Sequence, residues 1–137
     1  MPERNDRIST AGVAEKHGTY FVALRKPGTS IGESWEFPGG KHRDGETPEQ
    51  TLKREFHEEF NAEISVGERF FVGGFENRGT SYRLEAYRVT IHTPDAEMRF
   101  PEHQSVAWKT TAELGACRMA DSDEQILAAL LAESGER

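Results

Sequence analysis

A β sheet sandwiched between helices, an α+β fold in one domain, is what this sequence predicts. Three observations carry the prediction. Short aromatic and β-branched runs are bounded by glycine and proline, two segments place apolar residues at helical spacing, and strands and helices alternate too irregularly for a doubly wound parallel sheet. The 137 residues match the common size of one domain, which buries roughly two thirds of its unfolded surface around a single core.

The elements follow in order. Residues 1–7 are polar and charged and read as a flexible N-terminal segment, with one domain expected over 8–133 and a tail over 134–137. Tyr20-Phe21-Val22-Ala23-Leu24 reads as a buried strand, closed by Arg25 and bounded by Lys26-Pro27-Gly28. Ser34-Trp35-Glu36-Phe37 is a short extended piece, and the backbone is expected to turn sharply at Pro38-Gly39-Gly40. In Thr47-Pro48-Glu49-Gln50, threonine can cap a helix, proline suits its first position and Gln50 completes a capping box. That helix should run to about Phe60, where Asn61 tolerates the left-handed conformation of a helix end. Arg69 to Phe75 and Tyr82 to His92 read as an antiparallel pair around a turn at 76–80. Ser105 to Trp108 makes one more strand. Asp123 to Glu133 makes a last helix, with Ile126, Leu127, Leu130 and Leu131 on its apolar face.

Composition excludes several classes of function. The formal net charge is -7, and no basic patch is present to release counterions from a nucleic-acid backbone, so nucleic acid is not an expected partner. An anionic substrate needs a cation to bridge it to the carboxylates. Apolar runs such as Ile126 to Leu131 fall far short of the roughly 18 residues of a membrane span, and the N-terminus is not signal-like, so a cytoplasmic protein without membrane contact is expected. The single cysteine, Cys117, cannot form an internal disulfide and reads as a small buried hydrophobe. His17, His42, His57, His92 and His103 show no ligand spacing and read as ordinary surface or edge residues. Any metal is therefore expected on oxygen.

Asp44, Glu46, Glu49, Glu55, Glu58 and Glu59 fall within sixteen residues. On a helical wheel of about 100° per residue, Glu55, Glu58 and Glu59 share one face, and Leu52, Phe56 and Phe60 occupy the adjoining one. Like charges three and four apart repel by a few tenths of a kcal/mol per pair, relieved here only in part by Arg54. A solvated acidic helix would show such a face. So would a site for Mg²⁺ or Mn²⁺, which take carboxylates, backbone carbonyls and water.

The surrounding spacing bears on the choice. Gly40 is followed after five residues by Glu46, after seven more by Arg54-Glu55-Phe56, and then, one residue on, by Glu58-Glu59. This pattern resembles the Nudix box, and a chance match at a given window is on the order of 10⁻⁷ at ordinary residue usage. Asn61 stands in place of the usual glycine and Ala62 in place of a larger aliphatic residue, and neither change removes a ligand. The resemblance covers most of Ile8 to Leu131 and is nearest to the MutT-like nucleoside triphosphate pyrophosphohydrolases, through Trp35 to Lys41, Gly45 to Glu49, Glu102-His103-Gln104, Trp108 and Ala120 to Asp123.

What the resemblance implies can be placed residue by residue. The fold would be the Nudix α/β/α sandwich with a mixed sheet and the box as loop, helix and loop. Glu58, Glu59, the Gly39 carbonyl, Glu102 and Glu55 would form the metal site, with Mg²⁺ the expected cofactor and Mn²⁺ an alternative. Glu55 would also act as general base or orient water, Arg54 would hold a box carboxylate, and Glu46 would tie the loop to the helix. Arg25 and Lys41 would contact phosphate. Asp123, with the backbone at Phe37, would read the base, although Asp121, Ser122 and Asp123 are equally good helix caps. Trp35, Phe75 and Trp108 read as core before they read as stacking platforms.

The implied reaction is metal-dependent hydrolysis of a nucleoside triphosphate, an oxidised or non-standard one included, to monophosphate and pyrophosphate. RNA 5′-pyrophosphate hydrolysis uses the same box but fits the acidic charge less well. Hydrolysis of ADP-ribose or a dinucleoside polyphosphate is marked by a proline or tyrosine past the box, where Asn77, Arg78 and Gly79 stand. A non-catalytic nucleotide-sensing module would lack box carboxylates, all of which are present.

Overall fold

The computed structural model describes residues 7–28 and 33–135. Seven strands and three helices follow in the order β1 (Ile8–Lys16), β2 (Thr19–Arg25), β3 (Trp35–Glu36), β4 (Gly39–Lys41), α1 (Pro48–Phe60), β5 (Ile64–Asn77), β6 (Thr80–Ile91), β7 (His103–Lys109), α2 (Thr111–Gly115) and α3 (Asp121–Gly135). The sheet is mixed and runs β3-β2-β1-β6-β5, with β4 on β1 and β7 on β2. Among the described strands, β1 and β6 pair in parallel and the other strand pairings are antiparallel, while an isolated parallel bridge joins Trp35 to Met119.

The two faces of the sheet carry separate cores. Leu52, Phe56 and Phe60 of α1 pack with Ala14, Phe21, Ala23 and Val89 on one face. On the other, Ile126, Leu127 and Leu130 of α3 and Leu114 of α2 pack with Ala11, Val13, Val22 and Leu84. This is the expected helix, sheet, helix sandwich.

Strand β1 is central and was not legible in the sequence. Its residues are small, and five in succession are buried, because both faces of the strand are covered. Gly12 shows why they are small: a Cβ there would lie 2.7 Å from the Phe56 ring. The expected strand at Tyr20–Leu24 lies inside β2; β5 is longer than expected at both ends, and β6 starts two residues early but stops at Ile91, one short of the expected His92. Arg78 and Gly79, with φ of 52° and 80°, form its two-residue turn, where the twist of the strands favours positive φ at both positions.

The first helix behaves as its sequence predicts. The Thr47 side chain accepts from Gln50 N–H, the Gln50 side chain accepts from Thr47 N–H, and Asn61 closes the helix at φ 53°. Helix α2 was not expected, although Thr110 and Glu113 form a second capping box at its start.

Other expectations need correction. The Pro38-Gly39-Gly40 segment does not simply turn, since Gly39 and Gly40 pair with Ala11 and Thr10 in β4. The last helix begins two residues early and continues through Gly135, two residues into the expected tail. Of the expected N-terminal segment, residues 1–6 lie outside the described residues, as do 136–137 of the tail. His42 and His103 are buried rather than on the surface, and Cys117 is half-buried.

Gly12→Ala is expected to destabilise the protein by about 1–3 kcal/mol through overpacking, because the Phe56 ring it meets is wholly buried. Urea unfolding followed by circular dichroism measures this, and an unchanged midpoint would show that α1 can move away from β1.

Candidate active site

Helix α1 brings Glu59 into the wall of a cleft. The cleft has a volume of about 410 Å³ and is lined by Arg25, Lys26, Glu36, Glu59, Glu102 and His103. One donor atom from each of Glu36, Glu59 and His103 lies within 4.8 Å of the other two. These residues come from β3, α1 and β7, so the site exists only in the folded chain.

Glu59 is the most perturbed group in it. Burial comes first, followed by a hydrogen bond with Glu55 and the charges of Glu55, Glu36 and Glu102, and together they push its carboxyl up to about 9. Acids are crowded here beyond what the nearby cations compensate. A divalent cation would relieve that crowding, and carboxylates with one imidazole form a donor set such an ion accepts.

Behind the cleft, Arg54 is the tie. Its Nε and Nη2 donate to the two oxygens of Glu46 at 2.7 and 2.9 Å, Nη1 donates to Glu55 at 2.5 Å and to Glu58 at 3.5 Å, and Nη2 also reaches the Lys41 carbonyl at 3.2 Å. Glu46 accepts further bonds from Arg43 N–H and the Thr51 hydroxyl. The Arg54 hydrogen bonds, aided by these two, hold the Glu46 carboxyl down at about 2 against the cost of desolvation. Gly40 completes the packing, because a Cβ there would lie 2.2 Å from Glu55 Oε1.

A second polar contact lies on the other face of the sheet. The Phe37 N–H donates to Asp123 Oδ1 at 2.9 Å, joining α3 to the segment between β3 and β4. Burial pushes the Asp123 carboxyl up to about 8; the Phe37 N–H opposes this, Glu36 adds to it and Arg25 also opposes it.

Residues 5–130 match the family model described as NUDIX domain. The chain belongs to this family. Among Nudix and related proteins, it is 32% identical over 124 residues to the CTP pyrophosphohydrolase of Escherichia coli strain K12, covering 89% of each chain. It is 40% identical over 65 residues to the 8-oxo-dGTP diphosphatase of Proteus vulgaris, an alignment that spans 47% of this chain and only 58% of that protein. The solution structure of the E. coli ORF135 protein superposes with a TM-score of 0.82 at 30% identity, covering 94% of this chain and 91% of that one.

The Nudix box residues do not all occupy equivalent places. Glu55 and Glu59 face each other, and Glu59 and Glu102 line the cleft. Glu58 is half-exposed on the flank of α1, 3.8 Å from Arg43. Gly39 lies in β4 beside the Gly40 contact with Glu55. Arg25 lines the cleft, whereas the Lys41 ammonium stands 4.5 Å from the centroid of the Tyr82 ring. Phe37 and Asp123 are joined by the hydrogen bond from the Phe37 N–H. Asp123 is the third residue of α3 and is buried, so it does not cap the helix.

Glu36 and His103 are residues of the site that the sequence reading missed. Glu36 alternates outward from Trp35 and Phe37, whose side chains belong to the opposite core. Only that alternation, read against the facing of Phe37, could have singled it out. His103 carries no spacing signal, because its partners lie on other strands.

Glu46→Gln is expected to cost on the order of 2 kcal/mol at neutral pH, as charge-assisted bonds to Arg54 are weakened. The sign of the pH effect follows from the depressed carboxyl. The stabilisation is fully present above the ordinary glutamate value of 4.5 and is lost as pH falls toward about 2. Thermal midpoints between pH 2 and 7 should therefore converge for wild type and variant at the acid end. A constant gap across that range would contradict the assignment.

Proposed function

We propose that this chain hydrolyses a nucleoside triphosphate at a phosphoanhydride bond, releasing nucleoside monophosphate and pyrophosphate. The observation that carries the reading is Glu59, half-buried against Glu55 and facing Glu36 and Glu102 in a cleft whose wall also bears Arg25 and Lys26. Anionic substrate and carboxylates can share that space only with a cation between them. Glu59, Glu102, Glu55, Glu58 and the Gly39 carbonyl are the residues that would hold it, Mg²⁺ or Mn²⁺ being the ions suited to oxygen donors. A divalent cation, when bound, neutralises phosphate charge and acidifies water.

The chain's own residues supply the rest. Glu55 is held by Arg54 on one oxygen and abuts Gly40 with the other, which fixes the carboxylate that takes the proton of the attacking water. Water oxygen bonds to phosphorus, the bridging P–O bond breaks, and its electron pair leaves on the bridging oxygen. Arg25 and Lys41 are the cations assigned to the phosphates. Arg54 acts through Glu46 and Glu55 and is a positioning residue.

Base recognition is assigned to Asp123 and the backbone at Phe37. Burial raises the Asp123 carboxyl to about 8, which favours its neutral form, with one oxygen accepting from Phe37 N–H and the other able to carry a proton that can be donated. The similar proteins named for CTP and for 8-oxo-dGTP make both pyrimidine and oxidised purine triphosphates reasonable first substrates.

A panel of ordinary and oxidised nucleoside triphosphates, sugar nucleotides and 5′-triphosphate RNA with Mg²⁺, scored by products, is the direct test. Monophosphate with pyrophosphate from free nucleotides is expected, and release of inorganic phosphate alone would refute the reading. Glu59→Gln should lower turnover by about 10³-fold or more while leaving the circular dichroism spectrum unchanged. Asp123→Ala should reorder the bases more than it slows the best one; an equal loss on every base would remove Asp123 from recognition.

A further inference from the structure

Both oxygens of Glu36 are already engaged. Oε1 accepts from Arg25 Nη1 at 2.9 Å, and Oε2 accepts from His103 Nε2–H at 2.7 Å. The three residues stand on three neighbouring strands, and a bulge brings them together. Leu24 pairs with Ser105, but the register then shifts, so that Arg25 pairs with His103 in place of Gln104. Bulges re-aim side chains in this way. Gln104 secures the irregularity by donating its side-chain N–H to the Arg25 carbonyl at 2.8 Å.

His103 has little freedom. Its ring is buried and stacks on the fully buried Phe60, with centroids 5.2 Å apart and planes 23° from parallel. Its Nδ1 is buried without a hydrogen-bond partner, so Glu36 is the polar contact recorded for the ring. Arg25 Nε is likewise buried and unpartnered, on the cleft wall that Glu59 and Glu102 share. A guanidinium fixed at one nitrogen and unsatisfied at another is short of one acceptor.

We propose that His103 is a positioning residue for the reaction: through Glu36 it fixes the Arg25 guanidinium in the cleft, where the guanidinium meets an oxygen of the substrate. Glu36 then belongs to this support and is not a cation ligand, despite its nearness to Glu59. A divalent ion on Glu36 would sit against Arg25, and both carboxylate oxygens already have donors. The substrate half of the inference rests on the proposed hydrolysis, whereas the link from His103 to Arg25 can be read without substrate.

Steady-state kinetics on the best triphosphate, Mn²⁺ titration by electron paramagnetic resonance and ¹⁵N relaxation at Arg25 Nε test this together in His103→Gln, Glu36→Gln, Arg25→Ala and the double variant His103→Gln/Arg25→Ala. Each single variant should raise KM about tenfold with little change in kcat, as expected when a charge-assisted contact made equally in ground and transition states is lost. The double variant should be no worse than Arg25→Ala, because His103 acts only through Arg25. The Mn²⁺ dissociation constant should hold, and Arg25 Nε should become more mobile in both His103→Gln and Glu36→Gln. A tenfold weaker Mn²⁺ affinity in either variant would make the pair direct ligands and overturn the proposal, as would additive losses or an unchanged Arg25 Nε. Loosening of Arg25 in a protein that hydrolyses no triphosphate would support the coupling while sinking the substrate reading.

Discussion

The guanidinium of Arg54 holds the acidic half of the molecule in one shape. It reaches Glu46 in the loop, Glu55 and Glu58 on the helix and the Lys41 carbonyl at the end of β4. Without it, Glu46 would keep only its bonds from Arg43 N–H and the Thr51 hydroxyl, and Glu55 and Glu58 would lose the cation that joins them to the loop. A planar fork satisfies several oxygens at fixed angles, which a lysine ammonium cannot do. Because Glu55 is held from behind, its other oxygen is pressed toward Gly40, and the carboxylate has little rotational freedom left. Order in the site is thus bought from one side chain whose own charge is distributed among its partners.

That order stops short of Glu59. Burial raises the cost of its charge most, and its acidic neighbours Glu55, Glu36 and Glu102 add to it, even though Arg25 and Lys26 share the cleft wall. A stable protein with no further purpose would place a lysine or an apolar residue there. The fold carries this local cost because each face of the sheet has its own buried core. Leu52, Phe56 and Phe60, on the same helix as the glutamates, are wholly buried. The apolar stripe of α1 fixes where its acidic stripe must project, so packing and chemistry are two faces of one helix.

Much of this was legible in the chain, and what was hidden has a physical reason. The capping box at Thr47 and the left-handed Asn61 depend on residues adjacent in sequence, and both were read correctly. Box spacing likewise gave Glu55, Glu59 and Arg54, since positions three and four apart meet on a helix whatever lies around it. Strand β1 was missed because its small residues are set by the Phe56 ring, which lies far along the chain, and not by strand propensity. Glu36 and His103 were missed for a related reason: a bulge between Leu24 and Arg25 decides which residues face one another, and bulges leave no periodic mark. Asp123 looked like a cap because three cap-forming residues follow one another. Only the start of the helix at Asp121 and the Phe37 bond separate the readings.

The shortest strand sets the relation between the two polar regions. In Trp35-Glu36-Phe37, side chains alternate, so Glu36 joins Arg25 and His103 on the α1 face while Trp35 and Phe37 enter the α3 core. The next backbone N–H, that of Phe37, is the one bonded to Asp123. The support of the acidic cleft and the contact assigned to the base therefore stand on consecutive residues. Shifting β3 by one position would turn Glu36 into the apolar core and carry both regions out of register. Trp35 guards against that slip: its N–H is bonded to the Arg118 carbonyl at 2.9 Å, while β3 pairs Glu36 with Ala23 and Trp35 with Leu24. The spacing between recognition and chemistry is consequently a property of the backbone, and substitutions that alter either set of side chains leave that spacing in place.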